Sequence, residues 1–155
     1  MSDDIETICD QLLELANDNI EFYYGGCPVF AVALHDLSRW PMYALVDRDA
    51  YALREVLHAY VRPDRRTVVD VWGPRTLTAI YADFDQLRLH PESVKEVHLN
   101  RATLLRLSGA NPYCPTIAAA LPIAREVLAL TRQLHQLRHS HCRFEDECTK
   151  QRGTR

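Results

Sequence analysis

Tyr23-Tyr24-Gly25-Gly26-Cys27-Pro28 and the run behind it, Val29-Phe30-Ala31-Val32-Ala33-Leu34, decide how this chain folds. Two adjacent glycines let the backbone turn sharply or approach a neighbour closely. Pro28 suits the first position inside a helix, where its missing N–H costs nothing. The residues that follow are apolar on nearly every side, which predicts a helix buried in the core. Pro41 disfavours helical geometry at Trp40 and sets the end. Cys27 therefore stands at the N-cap of a buried helix. Unpaired N–H groups and the positive end of the helix dipole favour a thiolate there, and the same groups can stabilise an oxyanion. Pro28 removes one donor, so Cys27 and residues 23–26 must supply the others.

Upstream, Ile5, Ile8, Leu12, Leu15 and Ala16 recur at helical spacing with acids on the other face. Asp3 and Glu6 have the spacing of a capping box, and the helix is expected to end near Asn17–Asn19. Downstream, Met42–Val46, Val56–Arg62 and Thr67–Trp72 read as strands. Arg62-Pro63-Asp64-Arg65-Arg66 is a turn of hairpin length, and Gly73-Pro74 closes the third strand. Residues 77–87 fit a strand edge or a short helix. A strand is expected at Lys95–Leu99, then a helix from Asn100 to Leu107 closed by Gly109. A long helix is expected from about Thr116 to about Leu137, kinked at Pro122. Residues from His139 onward read as frayed.

The chain has 155 residues, 47% hydrophobic and 25% charged, the balance of one ordinary globular domain. No apolar run approaches the ~20 residues that cross a bilayer. The acidic start, Met1 to Glu6, is unlike a secretory signal, and five cysteines do not make a disulfide framework. A cytoplasmic location is expected. The net charge of −3 argues against nucleic acid as a partner. Charge is uneven: residues 1–50 carry ten acids against Arg39 and Arg48, and residues 125–155 carry seven bases against four acids. Mutual attraction of the two ends, or a solvated tail, accounts for this.

Strand alternation puts Val56, His58, Tyr60 and Arg62 on one face, and Val68, Asp70 and Trp72 on one face of the next strand. With an odd hairpin loop, such as Pro63-Asp64-Arg65, Arg62 pairs with Arg66 and His58 with Asp70. Opposed residues lie ~4.5–5.5 Å apart at Cβ, within reach of an imidazole–carboxylate bond. An aspartate inside Val68-Val69-Asp70-Val71-Trp72 needs such a partner, because an unpaired buried carboxylate is costly.

Cysteine at a helix start, histidine on one strand and aspartate on the next resembles the papain-like superfamily, and within it the transglutaminase-like core. Gly25-Gly26-Cys27, Leu57-His58-Ala59 and Val69-Asp70-Val71-Trp72-Gly73 carry the resemblance, which covers residues 19–75, about a third of the chain. It implies an α+β, papain/transglutaminase-like domain: a cysteine-bearing buried helix packed on a small antiparallel sheet, flanked by N- and C-terminal helices. The implied activity is thiol acyl transfer (amide or isopeptide hydrolysis, deamidation or transamidation) by a Cys27-His58-Asp70 triad through a thioester. Gly25, Gly26, Tyr24 and Trp72 are the candidates for substrate binding and the oxyanion site. Two departures stand out. Glu21 precedes the cysteine where papain-like proteases carry a glutamine, and no tryptophan follows the cysteine. Asn17, Asn19, Tyr23 and Tyr24 are the polar substitutes nearby.

One domain is expected over residues 1–140, with 141–155 a flexible basic tail. His135, His139, His141, Cys142 and Cys148 lack the spacing of a zinc knuckle, so neither metal nor cofactor is expected. Cys114 has no general base beside it and reads as structural. The expected partner is a protein or peptide substrate, with no membrane, and the late helices could supply a homodimer face. The competing reading is a non-catalytic interaction module, an inhibitor or adaptor, on the same scaffold.

Overall fold

The computed structural model describes residues 3–47, 55–85, 92–108 and 114–152. The helix closure expected at Gly109 lies outside them. The elements run α1 (Asp3–Asp18), a 3-10 turn (Ile20–Phe22), α2 (Cys27–Ser38), β1 (Met42–Asp47), β2 (Glu55–Val61), β3 (Thr67–Asp70), β4 (Gly73–Thr76), α3 (Leu77–Asp85), β5 (Val94–Leu99), α4 (Arg101–Ser108) and α5 (Ile117–Arg152). The fold is α+β, with one antiparallel sheet in the order β4-β3-β2-β1-β5.

Helix α2 is the centre of the core. Every residue from Cys27 to Leu34 is buried, as expected of a helix apolar all round. It starts one residue earlier than the sequence suggests: Gly26 is the N-cap, Cys27 the first helical residue and Pro28 the second. It closes on Arg39, whose left-handed φ of 66° lets its N–H reach the His35 carbonyl. Ile5, Ile8, Leu12 and Ala16 of α1 join this core, as do Leu104 of α4 and Ala120, Ala124, Val127, Leu128 and Leu134 of α5. Asp3, expected as a cap, is already inside α1, where its carboxylate still favours the helix dipole. Asn100 accepts from the N–H of Thr103, and Thr116 from that of Ala119, so both cap the helices that follow. Pro122 lies inside α5 without ending it, and the helix continues through 141–152, read from sequence as a tail.

The sheet divides two apolar clusters. Met42, Ala44, Val46, Ala59, Val61, Val69 and Val71 face α2. Leu45, Tyr60 and Val68 pack with Ile80 and Phe84 of α3 and with Val94. Two irregularities shape the region around His58. Leu45 pairs with His58 but Val46 with Val56, so Leu57 is an extra residue, a β-bulge. The bulge breaks the expected alternation: Val56 joins the α2 side, and only His58, Tyr60 and Arg62 keep the predicted face. The β2–β3 ladder pairs Val61 with Val69, not Arg62 with Arg66. Asp64 Oδ1 accepts the N–H groups of both Arg66 and Thr67, which turns the chain and widens the loop.

The third strand also differs from expectation. It ends at Asp70, turns at Val71–Trp72, and Gly73-Pro74 opens β4 instead of closing β3. Pro74 is tolerated because β4 is an edge strand, where a missing N–H breaks no ladder. Gly73 takes a φ of 83°, and a Cβ there would lie 2.8 Å from Leu12 Cδ1. The turn that follows Asp70 is thus seated directly on α1.

Candidate active site

The turn ahead of Cys27 is tightly built. Gly26 donates its N–H to the Glu21 carbonyl at 2.9 Å. A Cβ on Gly26 would sit 2.6 Å from that same oxygen and 3.1 Å from Pro115 Cδ, so only glycine fits. Gly25 has a φ of 90°, the left-handed region that favours glycine. Among the described residues, the N–H groups of Cys27 and Val29 are donated to no protein acceptor, as the first turn of a helix requires.

His58 and Asp70 meet, by a different register from the one expected. Counting from Val61–Val69 puts Tyr60 opposite Asp70 and His58 on the diagonal. A shift of two residues keeps both on one face, and diagonal neighbours remain within reach of long side chains. His58 Nε2 lies 2.9 Å from Asp70 Oδ2, with the two residues 0% and 2% exposed. Asp70 Oδ1 accepts the N–H of Trp72 at 2.9 Å. The second ring nitrogen of His58, Nδ1, is buried without a hydrogen-bond partner among the described residues. Burial disfavours the imidazolium, but the Asp70 bond and the neighbouring Cys27 outweigh it, pushing His58 up to about 9.

Three residues complete the surroundings: Tyr23, one of the four polar substitutes named from the sequence, and Arg75 and Asp83, which sequence reasoning passes over. The Tyr23 ring lies 4.8 Å from that of His58, and its hydroxyl donates to Asp83 Oδ2 at 2.6 Å. Burial, and then Asp83, push the phenol's pKa upward, so Tyr23 stays a donor. Arg75 bridges Asp70 Oδ2 (3.3 Å) and Asp83 Oδ2 (2.6 Å). Asp83 is pulled below the usual carboxylate range: burial opposes this, and the bonds from Tyr23 and Arg75 outweigh it. No local motif marks Arg75 or Asp83. The available signal was an arginine directly after a glycine–proline pair, beside a strand with a buried acid.

Of the remaining candidates, Trp72 holds Asp70 through its backbone and packs edge-on against Tyr23 at 6.0 Å. Tyr24 is 69% exposed, and its N–H is spent on the Ile20 carbonyl. Asn19 caps α1 by donating to the Leu15 carbonyl. Cys114, remote in sequence, places its Sγ 3.8 Å from the Gly25 carbonyl; burial pushes its thiol up, and the charge of Cys27 adds to this. The rings of His135 and His139 lie 4.2 Å apart on α5. The side chains of His141, Cys142 and Cys148 fall outside the described residues.

Comparison with protein families, with curated sequences and with solved structures finds no match to this chain. Among the described residues, no helix is long and apolar enough to cross a membrane.

Proposed function

We propose that the chain is a thiol acyl-transfer enzyme of papain/transglutaminase-like architecture, with Cys27 as nucleophile, His58 as acid–base and Asp70 as the group that orients His58. One observation carries the reading: a fully buried imidazole bonded to Asp70 on one nitrogen, its other nitrogen unpartnered, beside a cysteine in the first turn of a buried helix. Catalytic hydrogen bonds are often loose before substrate binds.

In the proposed cycle, Cys27 Sγ attacks a carbonyl carbon and the oxyanion is met by first-turn N–H groups, that of Cys27 among them. The carbonyl re-forms as the C–N bond breaks, and the His58 imidazolium gives its proton to the leaving amine. The thioester is then attacked by water or a second amine, His58 takes the proton, and Cys27 Sγ leaves. Asp70 stabilises the imidazolium throughout. The substrate class is an amide or isopeptide of a protein or peptide.

The interaction-module reading draws on the burial of Cys27, 3% exposed. Iodoacetamide and p-nitrophenyl acetate separate the two. An enzyme alkylates at Cys27 below the ordinary thiol range near pH 8.5, and its acetyl thioester is seen by mass spectrometry at Cys27 alone. Cys27→Ala and His58→Ala abolish both signals. Labelling of Cys27 no faster than of exposed Cys9, with no acetyl adduct, would leave the module reading standing.

A further inference from the structure

The triad does not end at Asp70. Asp70 Oδ2 takes two donors, His58 Nε2 at 2.9 Å and Arg75 Nη1 at 3.3 Å. Arg75 Nη2 donates to Asp83 Oδ2 at 2.6 Å and to the Ala79 carbonyl at 3.3 Å, which ties β4 to α3. Asp83 Oδ2 also accepts the Tyr23 hydroxyl at 2.6 Å. Tyr23 then returns to the start, its ring against His58. The five side chains form a closed circuit behind the imidazole.

We propose that Arg75 is a positioning residue that sets how strongly Asp70 holds the His58 proton, with Asp83 and Tyr23 fixing its guanidinium. The proposal rests on the triad reading and extends it. Its logic is competition for one oxygen. A carboxylate that faces only an imidazolium holds it fully, whereas a guanidinium on the same oxygen draws off part of that charge. An imidazole that grips its proton too tightly is a poor acid toward a leaving amine. Arg75 counters this by pulling His58 downward, against Asp70 and Cys27.

The groups around the ring fix the signs. Cys27 on α2, Asp70 on β3 and Asp83 on α3 favour the imidazolium, and Arg75 on β4, a cation on the same Asp70 oxygen, is the group the proposal sets against it. Tyr23 and Tyr60 also face the ring, at 4.8 and 6.0 Å, and both stay protonated because burial pushes their phenols up. Glu96, beyond Tyr60, is engaged by Arg62 and by the Tyr60 hydroxyl.

Titration of the His58 ring by NMR in the full-length chain tests this. Arg75→Gln raises the His58 midpoint by about one pH unit, because Asp70 is no longer shared. Asp83→Asn keeps an acceptor for Tyr23 and Arg75 but leaves the guanidinium charge less neutralised, so the midpoint falls. Arg75→Lys, which keeps the charge, stays closer to the wild type than Arg75→Gln. A midpoint that falls in Arg75→Gln shows that Arg75 only holds Asp70 in place, and one that does not move shows no coupling; either overturns the proposal. If Arg75→Gln does not fold, Arg75→Met decides in its place: a raised midpoint supports the proposal, and an unchanged or lowered one overturns it. Iodoacetamide labelling of wild-type Cys27 keeps the two readings apart: an inert thiol defeats the enzyme, while the His58 titration still judges Arg75.

Discussion

Asp70 is a 2% exposed carboxylate that survives because three donors meet it: the Trp72 N–H, the His58 ring and Arg75. Removing it strands the buried His58 ring and takes one acceptor from Arg75, which keeps Asp83. Asp70→Ala is expected to cost about 3 kcal/mol or more, the range for breaking a buried charged pair from one side. Asp70→Asn keeps the shape and loses the charge, so burial reclaims His58 and its midpoint drops from about 9 toward or below 6.5, readable in the NMR titration of the ring. A midpoint still near 9 in that variant would mean that Asp70 does not hold the proton. At Gly26 the constraint is space, since its φ of −87° suits any residue. Gly26→Ala drives a methyl into the Glu21 carbonyl, with an expected cost of about 1–3 kcal/mol and slower alkylation of Cys27. Thermal unfolding and iodoacetamide rates check the two halves separately.

Among the elements, legibility followed how local each cause is. Helix α2 was readable because Gly26, Pro28 and an all-apolar run act within a few residues of one another. The shared face of His58 and Asp70 was readable because face depends only on parity, which survived a two-residue register shift. The register itself was not, since it depends on how Asp64 folds the loop. Strand β4 was missed because Gly73-Pro74 stops a central strand but not an edge one. With β4 went Arg75, whose role depends on contacts from α3. The Gly73 turn also carries a prediction. Leu12→Ala is expected to cost about 2–5 kcal/mol as a core truncation. Gly73→Ala is destabilising twice over, through its left-handed φ and through the 2.8 Å approach of Leu12. In a Leu12→Ala background only the φ part remains, so the double variant is more stable than the sum of the singles implies. Additive urea midpoints would mean that α1 does not brace the turn that follows Asp70.

For the molecule as a whole, the site makes stability depend on pH in a way that reports where the proton sits. His58 in the fold titrates near 9 against an ordinary 6.5, a difference of roughly 3 kcal/mol between its two protonation states. A group raised on folding stabilises fully below its unfolded value, and that contribution is lost as pH rises through its folded value. The expected urea midpoint therefore falls as pH rises from about 6.5 through about 9. His58→Gln has no such proton to lose, so its midpoint falls less over that window. Asp83, lowered in the fold, acts in the opposite sense: its contribution is present above about 3.8 and is lost as acid protonates it. Urea unfolding of wild type and His58→Gln at half-unit steps from pH 2 to 10 measures all of this. A wild-type midpoint that stays level or rises between 6.5 and 9, or curves that run parallel for the two proteins, would show that His58 does not hold its proton in the fold.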